Sequence, residues 1–356
     1  MSVNFLRWFV GLMAVTGTVV AAPVGVESPS KAVEAFYEEL IARKVSGLPQ
    51  GEAWTALQPR MTEALVASIE AARKEQANFR KAQPDEKPPW IEGDLFSSLF
   101  EGPQKFTVGK VEVKKDRAFV SIGFIFESEG ETSKWTDTAL LRKVGKGWLV
   151  DDVFFGGEWA FGRKSTLQDA LSPEPSSVSP DGRFEFVAYS IEENNEGKPP
   201  FGIVERASGK LVWFSEEDLG DVSRPEEWVL WSPDSKRFAL VTRVSTRRLG
   251  TFFYGLEGEG FVSLAWKDAG KLELLADAKV VAAGRRDGFT KKAQWGQIIA
   301  DDTLPVRWLD VNSVVVVRAM DRIVTEEGKD ESTASGTARV ILRWDAKTRG
   351  FLMVGE

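Results

Sequence analysis

Ser179-Pro180-Asp181-Gly182-Arg183-Phe184-Glu185-Phe186-Val187 and Ser232-Pro233-Asp234-Ser235-Lys236-Arg237-Phe238-Ala239-Leu240-Val241 are two copies of one pattern. Proline presets φ for a tight turn, aspartate folds its carboxylate back onto the backbone two residues on, and a run of β-formers follows. Each copy predicts a turn that feeds a buried strand. A looser third copy is Trp308-Leu309-Asp310-Val311-Asn312-Ser313-Val314-Val315-Val316-Val317. A returning hairpin is predicted after each copy, over 202–214, 261–275 and 337–353. The turns Ala207-Ser208-Gly209-Lys210 and Ala346-Lys347-Thr348-Arg349-Gly350 also match one another.

These units resemble the blades of the TolB-like periplasmic propellers, over about 175–356. The resemblance implies an all-β, propeller-like domain. A closed ring has four to eight blades, and three units are visible. Either a divergent blade covers 277–303, or the domain is an open propeller-like sheet. The aspartates of the turns are expected to cap those turns. Glu326 to Ser335 is polar and is expected to be a mobile loop.

Upstream, Pro173, Pro175, Ser176 and Ser177 mark a linker over 165–178, with one helical turn at Leu167–Leu171. Before it, Ser28-Pro29 is a helix start, and Ala32, Val33, Phe36, Tyr37, Leu40 and Ile41 recur at helical spacing. Gly47, Pro49 and Gly51 break that helix. A second is predicted from about Pro59 to Lys81, buried through Met61, Leu65, Ile69 and Ala72. Trp90 to Phe100 is a short aromatic and apolar stretch expected to pack across a pocket mouth. Strands are predicted over 106–113, 118–127, 135–143 and 148–154.

Helices followed by antiparallel strands read as α+β. Ala35-Phe36-Tyr37, the strand Ala118 to Phe126, and Leu140-Leu141-Arg142-Lys143 leading to Gly147-Trp148-Leu149-Val150-Asp151-Asp152-Val153 carry a further resemblance. Residues 28–164 resemble the cone-shaped α+β family of nuclear transport factor two and the ketosteroid isomerases, and within it an exported bacterial branch of unknown function. The resemblance implies helices on a curved antiparallel sheet. The expected order is a cone-shaped α+β domain, a linker, and a propeller-like domain over 179–356.

Residues 1–22 read as a signal peptide: Arg7, an apolar run from Trp8 to Val20, then Val20-Ala21-Ala22. The rival reading is an uncleaved anchor, which Gly11, Thr16, Gly17 and Thr18 dilute and Pro23 ends. A periplasmic or secreted location is expected, with membrane contact only through the signal peptide before cleavage.

The 356 residues contain neither cysteine nor histidine. Histidine-based nucleophilic sites, imidazole metal sites and disulfides are thereby excluded. A net charge of -7 argues against a nucleic-acid partner. No phosphate-binding glycine loop, dinucleotide fingerprint or EF-hand loop is present, so no cofactor and no metal are expected. Arg247-Arg248, Arg285-Arg286 and Lys291-Lys292 are basic spots, read as solvated loops or as a docking patch for an acidic partner.

A ketosteroid isomerase-like site needs a carboxylate base in an apolar cavity and an oxyanion donor. Asp151, Asp152, Asp137 and Tyr37 are the candidates. Neighbours on a strand point to opposite faces, so one of Asp151 and Asp152 is expected in the cavity and the other in solvent. The competing reading has Asp152 tying down a turn or helix end. The expected function is a non-enzymatic binding or interaction module for a protein or small-molecule ligand. The alternatives are a carboxylate-dependent isomerase or lyase acting on a small apolar substrate, and a periplasmic immunity-type inhibitor.

Overall fold

The computed structural model describes residues 26, 28–128, 130–157, 166–172, 176–188, 201–215 and 228–355. The expected signal peptide, 1–22, lies outside the described residues, as do parts of the expected linker. The chain forms two compact units, Met1–Glu158 and Trp159–Glu356.

The first unit opens with α1 (Pro29–Ala42), α2 (Gly51–Leu57), a 3-10 turn (Gln58–Arg60) and α3 (Glu63–Ala82). Proline starts α1, where its missing N–H costs nothing, and Ala32, Val33, Phe36, Tyr37 and Leu40 form its buried stripe. The helix predicted from Pro59 starts later: Thr62 is its N-cap and accepts from the Leu65 N–H at 3.3 Å. The seven-residue α2 is too short to show a periodicity in the sequence.

Four antiparallel strands follow in sequence order: β1 (Lys105–Lys114), β2 (Arg117–Ser128), β3 (Glu131–Val144) and β4 (Gly147–Phe154). The aromatic face of α1 lies on this sheet. The Tyr37 ring is 5.8 Å from Phe106 of β1 and 5.1 Å from Phe124 of β2. Phe96, from the connection before β1, packs 5.7 Å from Phe36, and Trp135 lies 5.4 Å from Phe124. Aromatic rings in tilted and edge contacts fill this interior.

The second unit is mostly β. After the short α4 (Leu167–Ala170), β5 (Phe184–Ala188), β6 (Phe201–Glu205) and β7 (Lys210–Phe214) form one antiparallel meander. A second is β8 (Val229–Trp231), β9 (Arg237–Ser245), β10 (Arg248–Glu257) and β11 (Gly260–Trp266). A third follows α5 (Ala269–Arg286): β12 (Gln294–Asp310), β13 (Ser313–Thr325), β14 (Ser332–Asp345) and β15 (Gly350–Gly355).

The repeated turns precede β5, β9 and β13. Ser179 Oγ donates to Asp181 Oδ1 at 2.7 Å, Asp181 Oδ1 accepts from the Arg183 N–H at 3.0 Å, and Ser179 Oγ accepts from the Phe184 N–H at 2.9 Å. Ser232, Asp234, Lys236 and Arg237 repeat the pattern at 2.7, 3.2 and 2.9 Å. The fourth turn residue, Gly182 or Ser235, has positive φ, 71° and 58°; glycine takes this without strain and Ser235 does not. The two turns also touch: the Asp181 N–H donates to Ser235 Oγ at 3.0 Å. In the third copy Asp310 accepts from the Asn312 N–H at 2.7 Å.

Several expectations are corrected. Residues 261–275 do not form a hairpin, because β11 ends at Trp266 and α5 begins at Ala269. Residues 277–303 are not a blade, because α5 runs to Arg286 and leads into β12. Leu272, Ala276, Val280 and Ala283 fall at helical spacing and are buried, a period hidden by the surrounding strand signals. The unit is therefore not all-β. The second and third meanders also merge into one sheet. Arg248 and Leu249 pair in parallel with Asp301 and Asp302, and Ala265 and Trp266 with Gly350 and Phe351. Propeller blades are separate sheets, so the likeness to a propeller lies in the repeated meanders. Among residues 326–335, β14 already begins at Ser332, and Glu326 accepts from the Thr290 N–H at 2.7 Å.

Candidate functional site

The four residues singled out by the sequence fall into two places. Asp151 sits where β4 bulges against β3, since Leu140 pairs with Asp152 and Leu141 with Val150. Its carboxylate accepts from Thr62 Oγ1 at 2.7 Å and from Arg142 Nε at 2.8 Å. Asp151 thus braces the N-cap of α3. Asp152 accepts from the Val153 N–H at 2.9 Å. Neither residue faces solvent, because both are buried, and the expected split between cavity and solvent does not occur. A tie to a helix end is made by Asp151, through Thr62.

Tyr37 and Asp137 belong to a second cluster with residues the sequence reading passed over. The Tyr37 hydroxyl donates to the Phe96 carbonyl at 2.8 Å. Burial raises its pKa well above the ordinary value, and the nearby charges of Asp137 and Asp94 raise it further. Asp137, 1% exposed on β3, takes four donors. Oδ2 accepts from the Ser98 N–H at 2.8 Å and from Trp135 Nε1 at 3.2 Å. Oδ1 accepts from the Gly156 N–H at 2.8 Å and from Ser98 Oγ. Ser98 Oγ in turn accepts from the Gly157 N–H at 3.0 Å. A carboxylate buried this deeply needs such a set of donors to offset the loss of water.

Asp94 organises the connection between α3 and β1. Its carboxylate accepts from the Phe96 N–H at 2.8 Å and from Ser97 Oγ at 2.6 Å, and its own N–H donates to the Phe100 carbonyl at 2.7 Å. Although partly exposed, the carboxyl is surrounded mainly by protein. Burial pushes its pKa from 3.8 up to about 6, with Asp137 adding to the rise and the Ser97 and Phe96 hydrogen bonds opposing it. Ser97 and Ser98 thus serve two different acids from adjacent positions. The sequence did carry a signal for this: Asp94-Leu95-Phe96-Ser97 is an aspartate set to fold over the next backbone N–H groups.

The same segment turns apolar side chains outward. Ile91 is 43% exposed and Phe100 48%. Gly93 makes the Phe100 position available: with φ +83° it lies under the ring, and a Cβ there would sit 2.3 Å from the Phe100 ring. The Gly47 N–H donates to the Gly93 carbonyl at 2.7 Å and the Leu48 N–H to the Trp90 carbonyl at 3.2 Å, fixing the segment to the chain after α1.

Among the described residues no group of three or more acidic side chains could hold a metal ion, and no helix is long and apolar enough to cross a membrane. In the second unit a hollow of about 520 Å³ at the start of α5 is lined by Lys267, Asp268, Lys271, Glu273 and Leu274. Asp268 and Lys271 pair there at 2.7 Å.

No family model and no curated protein matches the chain. Among solved structures it is similar to TolB from Acinetobacter baumannii, at 11% identity and a TM-score of 0.22, over 80% of this chain and 58% of that one. An acylaminoacyl peptidase from Pyrococcus horikoshii overlaps at 9% identity and a TM-score of 0.19, over 68% of this chain and 36% of the peptidase. The β-propeller domain of the Trilobed protease from Pyrococcus furiosus overlaps at 8% identity and a TM-score of 0.17, over 71% and 72%. The chain spans a little over half the length of the TolB and about a third of the peptidase. Overlaps this loose carry neither fold nor function across.

Proposed function

We propose that the chain is an exported, non-enzymatic binding module whose recognition surface is the segment 90–102. The observation that carries this is the division of labour in the segment. Asp94 and Asp137 fix its backbone through hydrogen bonds, while Ile91 and Phe100 stay exposed. Ordered segments that present apolar side chains on a rigid scaffold are where recognition concentrates. Three helices ahead of a four-stranded antiparallel meander, with the aromatic face of α1 on the sheet, support the cone-type reading of the first unit. The repeated turns and meanders support the propeller-like reading of the second. The test is affinity capture from extract of the producing cells, comparing wild type with an I91S/F100S variant. A discrete set of proteins lost in the variant is expected. The same set on both would count against this surface.

One observation favours a second reading, a carboxylate-dependent isomerase or lyase: burial pushes the Asp94 carboxyl up to about 6, and its charge is close enough to act on Tyr37. Small enolisable ketones in heavy water test it. Deuterium uptake that disappears in D94N would support catalysis, and no uptake with the wild type would end it.

A further inference from the structure

Arg73 lies half-buried in the middle of α3, with its guanidinium 3.9 Å from the centre of the Trp54 ring on α2. Its Nη2 donates to the Pro49 carbonyl. Among the described residues that is its one hydrogen bond, and no acid forms an ion pair with it. Glu70, a turn earlier on α3, is exposed and acts on Arg73 only through its field. Glu52 of α2 lies 3.7 Å from Arg43 instead. Arg60 and Arg142, which are also half-buried, meet Glu39 at 3.3 Å and Asp151 at 2.8 Å. Arg73 is thus a partly desolvated charge with no counter-charge in contact, an imbalance that asks for a ligand. Burial accordingly pulls its pKa below the ordinary value, with Glu70 opposing.

We propose that Arg73 and Trp54 form a carboxylate-binding site. A guanidinium has five N–H donors in one plane. Nη2 gives one hydrogen to Pro49, and whichever hydrogen it gives, a parallel pair of donors remains: Nη1 with Nη2 at the end of the fork, or Nε with Nη2 at its side. The two oxygens of a planar carboxylate match such a pair. The Trp54 ring holds one face of the guanidinium without competing for its in-plane donors. Trp54 Nε1 has no acceptor among the described residues and is a further donor on the same ring system. The surroundings are fixed. Gln76, three residues on and buried, donates from Nε2 to the Pro89 carbonyl at 2.6 Å, and the Leu48 N–H reaches the Trp90 carbonyl at 3.2 Å. One side of α3 therefore grips both connections, 47–50 and 89–93. Between them Trp90 takes φ +53°, a strained backbone for a bulky residue. The site adjoins 90–102 through these bonds but does not rest on the binding role proposed above.

The experiment is proton–nitrogen correlation spectroscopy on the whole chain, reading the side-chain N–H signals of Trp54 and Arg73. The probes are N-acetylglycine, which carries a main-chain carboxylate, and the α-amide of N-acetylaspartate, which carries a side-chain carboxylate. N-acetylglycinamide is the neutral control and inorganic phosphate the rival anion, all at constant ionic strength. Saturable shifts of both reporters are expected with a carboxylate and none with the neutral control. A response to one carboxylate alone supports the site and identifies its source. R73Q keeps a donor for Pro49 but loses the charged fork, and is expected to weaken binding about tenfold or more at the Trp54 reporter. No saturable shift in the wild type overturns the site, as do equal shifts with the neutral control or undiminished binding in R73Q. Tighter binding of phosphate overturns the ligand class. If R73Q fails to fold, the wild-type titrations decide alone. No partner protein is present, so a flat result removes the carboxylate site and leaves the binding role standing.

Discussion

Replacing Asp137 with asparagine separates a carboxylate that holds the fold from one kept for chemistry. Asparagine retains one acceptor oxygen where aspartate has two. In its better orientation that oxygen faces the Ser98 N–H and Trp135 Nε1, at 2.8 and 3.2 Å in the wild type. The amide nitrogen then faces Ser98 Oγ, which can rotate to accept, and the Gly156 N–H, which cannot. One buried backbone donor is orphaned at about 1–3 kcal/mol, and the remaining bonds lose their charge assistance at about 1 kcal/mol more. D137N is expected to destabilise the first unit by about 2–4 kcal/mol. The assay is urea denaturation of the whole chain, with tryptophan fluorescence and far-ultraviolet circular dichroism followed together, since two units can unfold in separate transitions. A change within about 0.5 kcal/mol of zero refutes the structural assignment. So does a gain in stability, which is the sign expected of a strained catalytic group.

D169A removes the fully buried acid that accepts from Arg307 Nε at 2.9 Å and from Arg339 Nη2 at 2.7 Å. Two stranded guanidinium groups should cost the second unit about 3–5 kcal/mol in the same denaturation experiment. T62A loses the N-cap of α3 and the Asp151 contact, and is expected to lower stability by about 1–2 kcal/mol while leaving affinity capture unchanged. G93A drives a Cβ to 2.3 Å from the Phe100 ring; it is expected to abolish the captured set with little loss of α-helical signal. With its carboxyl pushed from 3.8 up to about 6, Asp94 is expected to make the wild type about 1 kcal/mol more stable at pH 5 than at pH 7, a difference that should be absent from D94N in urea titrations at the two pH values.

The fold was legible where one local signal governed one element. Ser28-Pro29 starts α1, and the paired Ser-Pro-Asp turns feed β5 and β9 as their chemistry requires. It was not legible where periods overlapped. The α5 stripe lies between two strand-rich stretches, and the parallel pairings at Arg248 and Ala265 join residues tens of positions apart. The candidate site was half legible. Tyr37 and Asp137 stood out by type, but what unites them is a connection that carries no regular secondary structure. Asp151 stood out for the same reason and braces a helix instead. Only the fold shows whether a carboxylate meets Thr62 and Arg142 or an open cavity.

The recognition surface at 90–102 is tested most directly by placing a photo-crosslinking amino acid at Phe100 and, as a control, at Val113. Val113 is the more exposed, at 54% against 48%, but lies on the outer strand β1. Irradiation in the producing cells is expected to give an adduct of discrete mass from position 100 and none from position 113. Equal adducts at both positions, or none at position 100, would contradict the account.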